Sequence, residues 1–563
     1  MAQVLARASG KTSTAHGSTA LAAMVGDQCV LTQRKFAVTG ALLLGVTVLL
    51  DAARRFRSRR KPGELIPCLP GGWPIIGHFF TLMRYCRQNS NLAMGRWAVD
   101  VAKRQGFGIY LASLAGHDLV WVNDADLAEE IMQGDPHRYT KDFSKLPLGG
   151  DLLGISFGDG LFFAPTDDLK WEIPHRILKN PFSVRGIRAI MPMMRDQADK
   201  LVAALKRDVG HGGVTHIDAW VTKMAFETIA VCGLGTSFGC FEDDQTHPFI
   251  KALNQTISAI DPLGTWPSML RPIFCRELLK KFTTSSKSVR DTCCDVIRKR
   301  RAAGAAGIGE GRKDLLDMML NDVDSKTGQS MTEDMIVDNV LTFLFAGQDS
   351  TAAAMGSCLC FLCSFPECKE RLIKEIDEVV GTNQLEWDHL GKLRYLDWCL
   401  KETLRLAPPA PGIIRQSTEE QLIGGKWRMP AHMPVIINIM ALHYSKELWG
   451  EDAAEFRPER WEHGQTHRFA YVPFATGPRQ CIGREFTLVE QKVTMVKLFQ
   501  NLDFRPADTS KAEEGYFLLE HKNAAHPPFL NLDTQVKKDS GFLGLFRPFQ
   551  LLERRAKTEE RDP

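Results

Sequence analysis

The 563 residues carry almost no excess of either charge sign. Lys+Arg 70 against Asp+Glu 67 leaves +3, so the balance names no oppositely charged macromolecular partner. No basic stripe interleaved with aromatics runs along the chain, and nucleic-acid binding is excluded on that ground. The fourteen cysteines show no disulfide-framework spacing: Cys293 and Cys294 are adjacent, and Cys358, Cys360 and Cys363 share one apolar run. They read as small core residues in a reducing compartment. A Cys-x-Cys-x-x-Cys zinc cluster is the alternative, but the run continues as a buried helix with no histidine nearby. No Ser/Gly/Pro linker divides the chain after residue 80. One large catalytic domain is therefore expected, although the usual prior is roughly 100–200 residues per domain. No internal repeat stands out.

The N-terminal sixty residues differ from the rest. Residues 1–35 are rich in Ala, Ser and Thr, with Arg7, Lys11, Arg34 and Lys35 facing only Asp27. That composition fits a disordered leader or a transit peptide. Residues 36–50 carry no charge and reach about 22 Å as a helix, short of a ~30 Å hydrocarbon core. The following Arg54-Arg55-Phe56-Arg57-Ser58-Arg59-Arg60-Lys61 can snorkel and keeps its side cytoplasmic. We expect a membrane anchor with its basic flank over 36–61, the catalytic body facing the cytoplasm, with the endoplasmic reticulum as its site. Targeting to another organelle by a cleaved leader is the alternative. Residues 62–78, with Pro62, Pro67, Pro70, Gly71, Gly72, Pro74 and Gly77, read as a stiff hinge. The body spans 79–535 and is mostly helical. Strands are expected over 107–123 and 411–440, with Gly424-Gly425 as a turn. A charged tail, 536–563, holds an apolar piece at 541–549 that either touches a membrane surface or stays solvated.

What is present centres on Phe474-Ala-Thr-Gly477-Pro-Arg479-Gln-Cys481-Ile-Gly483. A cysteine binds metal as thiolate, which needs positive charge, N–H donors and shelter from water. Gly477 and Gly483 permit tight turning and close approach to a flat cofactor. Arg479 can reach an anionic group beside the metal, and Phe474 can shield the sulfur. A helix pattern follows Gly483, and its N-terminal dipole favours an anionic sulfur. The bland alternative is a cysteine that merely packs in a core.

A second stretch, Leu341-Thr-Phe343-Leu-Phe345-Ala346-Gly347-Gln348-Asp349-Ser350-Thr351, lies in a segment apolar for most of eight turns after a capping-type Thr332. A helix apolar all round is buried, and polar residues inside it are costly without a role. Gly347 leaves room for a flat ligand. Ser350 can bond back to a carbonyl and bend the helix. Asp349 beside a hydroxyl makes a proton-delivery pair; a capped kink is the alternative. Two further motifs are weaker alone. Glu402 and Arg405 share a helix face and by themselves read as a surface pair; Phe456-Arg-Pro-Glu-Arg460-Trp461 follows some fifty residues on. Trp171 and His175, four apart, share a helix face, with Pro174 between them.

The pattern Phe-x-x-Gly-x-Arg-x-Cys-x-Gly resembles the haem-binding loop of the cytochromes P450, the haem-thiolate monooxygenases, and the order of motifs from about 66 to 533 follows that family. The resemblance implies the mainly helical P450 fold with small β-sheets, and haem b between the central helix and the cysteine loop. It implies Cys481 as the iron ligand and Asp349 with Ser350 as the acid–alcohol pair. Serine stands where the family usually has threonine. Trp171, His175, Arg415 and Arg479 become propionate partners, while Glu402, Arg405 and Arg460 become a network bracing the cysteine loop. Phe162, Phe343 and Ala346 line the substrate channel. Several runs are similar to the self-sufficient fatty-acid hydroxylases: Gly158-Asp-Gly-Leu-Phe162, His247-Pro-Phe-Ile250 and Leu448-Trp-Gly-Glu-Asp452. His117 and Trp121 stand where that type grips a fatty-acid carboxylate with Arg and Tyr. The fused reductase is missing from the sequence, so electrons are expected from NADPH through a separate reductase. O2 and a lipophilic substrate complete the partners. A haem-thiolate isomerase or dehydratase acting on peroxides, and a haem-based ligand sensor, are the rival readings. A retained acid–alcohol pair argues against both.

Overall fold

The computed structural model describes residues 63–521 apart from internal stretches, the longest at 90–96, 304–312 and 507–515. It divides into Met1–Leu65 and Ile66–Pro563; only residues 63–65 of the first unit are described. The leader, the anchor expected at 36–61 and the tail at 536–563 lie outside the described residues. Among the described residues no single helix is long and apolar enough to cross a membrane.

The body of the second unit is built on one long helix, Glu333–Ser364. The Thr332 side chain accepts from the Met335 N–H at 3.3 Å, which satisfies one of the free donors at its start. Every residue over 336–345 and 354–363 is buried, as an all-round apolar helix requires. Helix Ile217–Leu234 crosses it at Gly347, where a Cβ would meet Ile229 Cγ1 at 2.9 Å and Cβ at 3.0 Å. Gly347 thus serves contact between helices, not the room for a flat ligand expected from the sequence. The cysteine helix, Arg484–Asn501, is tied to the central one by a Thr351–Thr487 hydroxyl bond of 2.8 Å. Cys358, Cys360 and Cys363 are free, buried thiols on the central helix.

A five-stranded sheet runs in the order Ile109–Leu114, His117–Val122, Pro434–Asn438, Gly412–Ser417, Tyr139–Thr140. Only the pair His117–Val122 with Pro434–Asn438 is parallel. Its register puts Arg415 opposite Val435 and Val435 opposite Val120, on the face covered by the apolar cluster that includes Phe469 and Val472. The expected turn joins Gln421–Ile423 to Trp427–Met429, with φ of 59° at Gly424 and 63° at Gly425.

The Pro/Gly segment is no free hinge from Ile66 onward. Leu69 N–H donates to Leu111 O at 2.9 Å, Leu111 N–H to Pro67 O at 2.8 Å, and His78 N–H to Ser113 O at 2.6 Å. Prolines cannot donate but still accept, so the segment lies along a sheet edge through its non-proline N–H groups.

Candidate functional site

The cysteine loop folds by local chemistry. Gly477 has φ +74°, and a Cβ there would sit 2.1 Å from Met132 O, so only glycine fits. Residues Gly477–Arg479 form one 3₁₀ turn. The Cys481 N–H then donates to Phe474 O at 2.9 Å, closing the loop just before the helix. Cys481 is exposed, yet enclosure by protein pushes its thiol up while the Gly483 N–H, Lys141 and Arg484 pull it back. The two facts meet in a thiol lining an internal cavity. Gly483 has an ordinary φ of −82°. A Cβ there would find only Cys481 Sγ, at 3.9 Å, among its close neighbours. A side chain at 483 would fill the space beside the sulfur.

The central helix supplies the opposite wall. Between 336 and 363 the only residues not buried are Ala346, Gly347, Asp349, Ser350 and Ala353, with Ser350 the most open. Positions 346, 350 and 353 follow helical spacing along one stripe. Ser350 Oγ donates to Ala346 O at 2.8 Å. Phe343 belongs to the same stripe two turns back but does not line a channel. It is buried, stacked on Phe182 at 5.6 Å, with Phe182 against Phe486. The turn Asn180–Phe182 covers the helix there, so the channel position expected for Phe343 is corrected. Phe345, equally buried, packs at 4.7 Å from Phe157 and 6.4 Å from Phe162. Phe162 is 40% exposed and also packs on Phe143 and Phe163.

Three cations, buried Lys141 and Arg415 and half-buried Arg479, lie close enough to depress one another's pKa, and Lys141 also interacts with the thiol. Arg415, in the sheet, donates to Ile414 O at 2.8 Å, and burial lowers its pKa to about 10. Arg479 donates to the carbonyls of Leu161, Phe162 and Ala164 at 2.9–3.2 Å. Burial and Arg415 lower its pKa to about 9. Lys141 lies 3.6 Å above the Phe162 ring; burial, Arg479 and Arg415 hold it well below the ordinary amine range, and Cys481 raises it. Among the described residues none of the three has a carboxylate partner. Trp171 and His175 stack at 4.7 Å, and the Arg479 guanidinium lies 4.9 Å over Trp171. The structure therefore brings the four expected anion-binding residues toward one cavity.

Lys141 was missed by sequence reasoning. It belongs to no motif, and its only sign is a lysine beside a short strand and a phenylalanine, Tyr139-Thr-Lys141-Asp-Phe143. Buried like charges are tolerable only with anions between them. A haem, with two propionates and a thiolate-bound iron, supplies such anions, and the cradle beside Gly483 suits its flat ring. The residues present fit the group.

The brace is a separate buried cluster. Glu402 accepts from Arg405 Nε at 2.9 Å, Arg405 Nη2 at 2.7 Å, Arg460 Nε at 2.8 Å and Trp461 Nε1 at 3.0 Å. Arg405 also donates to His443 O at 2.8 Å and Glu455 O at 3.0 Å. A buried carboxylate with this many charge-assisted donors is fully compensated. Trp121 is buried with Trp97 and Tyr110, while His117 lies at the exposed end of its strand. These two do not form a carboxylate clamp.

A model of the cytochrome P450 family matches residues 67–526. A self-sufficient cytochrome P450 monooxygenase of Exserohilum turcicum is 30% identical over 452 residues, covering 79% of this chain and 40% of that protein. One from Phanerodontia chrysosporium is 33% identical over 449 residues, 78% and 40%. A bifunctional cytochrome P450/NADPH–P450 reductase of Acremonium egyptiacum is 29% identical over 490 residues, 84% and 44%. The chain thus spans less than half the length of these curated relatives. The crystal structure of the cytochrome P450DA haem domain superposes with a TM-score of 0.69 at 25% identity, covering 82% of this chain and 97% of that one. The thiol loop, the central helix with its open polar stripe and the matched span agree, and the chain belongs to the cytochrome P450 family, whose cofactor is haem b.

Proposed function

We propose that the protein is a haem-thiolate monooxygenase that hydroxylates a fatty acid or fatty-acid derivative near the end of its chain. The observation that carries this reading is the set of three mutually repelling cations, Lys141, Arg415 and Arg479, without acidic partners among the described residues, Lys141 also interacting with Cys481. Cys481 would ligate the haem iron. When bound, haem supplies oxygen activation, and the thiolate's electron donation favours O–O cleavage. Lys141, Arg415 and Arg479 would hold the propionates, with Trp171 and His175 beside Arg479. Ser350 donates to Ala346 O and turns its lone pairs outward to accept; to relay, the hydroxyl turns from that carbonyl and releases its own proton as it accepts another. Asp349, half-buried beside it, feeds that hydroxyl.

Substrate class follows from the walls. Phe162, Phe163, Phe143 and Phe345 form an aromatic cluster, and Ala346 adds the small residue beside it. Such a surface suits an acyl chain. His117 lines a surface cleft with Asp118, Gln416, His432 and Pro434, and Trp121 is inside the core, so esters or alcohols are accepted alongside free acids. Electrons come from NADPH through a P450 reductase; a relative named as bifunctional carries an NADPH–P450 reductase. The basic and uncharged runs at 36–61 support a membrane site with the body in the cytoplasm.

The test is a fatty-acid series with added reductase and NADPH. Hydroxylated products are expected, with the ratio of peroxide to NADPH rising in Ser350→Ala and turnover slowing in Asp349→Asn. No product and no substrate-induced spectral shift across the series would remove the substrate class. Absence of a thiolate-type Soret band in the freshly reduced carbonyl complex would remove Cys481 as ligand.

A further inference from the structure

His443 belongs to none of the motifs above, yet it is fully buried and lies between the brace and the cysteine loop. Its Nδ1 is 2.9 Å from Arg405 O. Its Nε2 is 3.1 Å from the Val472 N–H. A carbonyl can only accept and a backbone N–H can only donate, so the ring must carry its proton on Nδ1 and keep a lone pair on Nε2. The imidazolium would set N–H against N–H beside the Arg405 guanidinium. Arg405 answers by donating to His443 O at 2.8 Å, so the two residues are doubly joined. Tyr471 stacks on the imidazole at 5.4 Å and touches Trp461 at 4.6 Å, which holds the ring plane.

From Val472 the loop continues through two backbone bonds. Ala475 N–H donates to Val472 O at 3.1 Å, and Cys481 N–H to Phe474 O at 2.9 Å. Ala475 itself has φ +55°, a left-handed conformation that a side chain disfavours. The loop therefore needs outside support at Val472 to hold that turn. Among the described residues, the side chains of Glu402, Arg405 and Arg460 bond to none of residues 472–483, so on their own they do not explain how a brace steadies the sulfur.

We propose that His443 is the positioning residue that couples the Glu402–Arg405–Arg460 brace to the cysteine loop, by bridging Arg405 O and the Val472 N–H, and so stabilises thiolate ligation. The proposal rests on Cys481 as the iron ligand. It predicts that the two imidazole bonds separate by substitution. His443→Asn keeps a donor near the Nδ1 position but cannot reach Val472. His443→Gln places an acceptor near the Nε2 position. His443→Phe keeps the stack on Tyr471 and loses both bonds.

The experiment follows the carbonyl complex of the reduced holoprotein as its thiolate-type Soret band converts to the thiol type, with far-UV circular dichroism recorded in parallel. Loss of the Val472 partner orphans a buried N–H, so conversion in His443→Asn and His443→Phe should be at least about fivefold faster than in wild type, the factor matching a ~1 kcal/mol penalty. His443→Gln keeps the Val472 acceptor but loses the bond to Arg405 O, so it should also convert faster than wild type, though less than His443→Phe, and helical signal should persist while the band is lost. Equal rates in wild type and His443→Asn overturn the proposal, as does a wild-type rate in His443→Gln. A wild type without the thiolate band refutes the ligand assignment instead. If the Asn and Phe variants do not fold, hydrogen exchange on the wild type decides. The Val472 amide should be protected to the same degree as the buried helix amides around it, and free exchange there overturns the bridge.

Discussion

Replacing Arg415 by methionine should move two properties in opposite directions. Arg415 is 4% exposed, and its guanidinium donates to its neighbour's carbonyl, Ile414 O. Burial lowers its pKa from the ordinary guanidinium range to about 10, a difference of about 3 kcal/mol against the charged form. The folded value is the depressed one. The penalty is therefore absent above the unfolded pKa, grows as pH falls, and is fully present at neutral pH. Methionine keeps the apolar stem and removes the charge. Loss of the Ile414 bond and imperfect packing take back about 1 kcal/mol each, so the haem-free protein should gain ~1 kcal/mol. Holoprotein should lose a charge-assisted propionate bond of about 1.5–3 kcal/mol, hence roughly 10- to 100-fold in haem retention. Thermal unfolding of the haem-free protein reads the first effect. Haem transfer to a scavenging globin reads the second. A haem-free Arg415→Met protein that is less stable than wild type, or a variant that holds haem as tightly, would refute the reasoning.

Gly347→Ala should destabilise by about 1–3 kcal/mol, because its Cβ meets three atoms of Ile229 within 3.2 Å; denaturant titration measures it, and haem retention should not change. Phe162→Ala should shift the site of hydroxylation along the chain with little loss of stability. Phe343→Ala should do the reverse, costing about 3–5 kcal/mol and leaving the product distribution alone; product analysis and melting of both variants check the pair. Acid should weaken the fold early. Burial and Arg405 hold His443 down to about 3, so native protein stays neutral there while unfolded chain binds a proton from about pH 6.5. Stability should then fall between about pH 6.5 and 3, by ~5 kcal/mol at most. Urea titrations over pH 7–5 should show this slope in wild type and a flatter one in His443→Gln.

The sequence by itself determined whatever depends on neighbours along the chain. The cap at Thr332, the burial of the helix that follows and the double-glycine turn at 424–425 are set by local hydrogen bonding, periodicity and φ. So is the 3₁₀ turn at Gly477–Arg479 that leads into the cysteine helix. The four-residue step from Trp171 to His175 fixed their shared face in the same way. Glu402 with Arg405 was legible as a pair, and the motif around Arg460 as its partner, because motif order stood in for the missing distance.

Tertiary structure alone decided which surfaces those elements meet. Phe343 and Ser350 share a helical stripe, and only the turn carrying Phe182 makes one core and the other open. Gly347 looked like room for a ligand until Ile229, more than a hundred residues earlier, proved to fill the space. The Pro/Gly segment read as a hinge because its composition shows stiffness and not its hydrogen-bond partners on Ile109–Leu114. Lys141 and His443 carry no pattern at all. Lys141 comes near Cys481 across some 340 residues of sequence, and His443 is significant only because Arg405 O and Val472 N–H stand on its two sides. Propensity and spacing act over a few residues, whereas burial of charge and the pairing of buried donors are settled by whatever the whole chain folds against them.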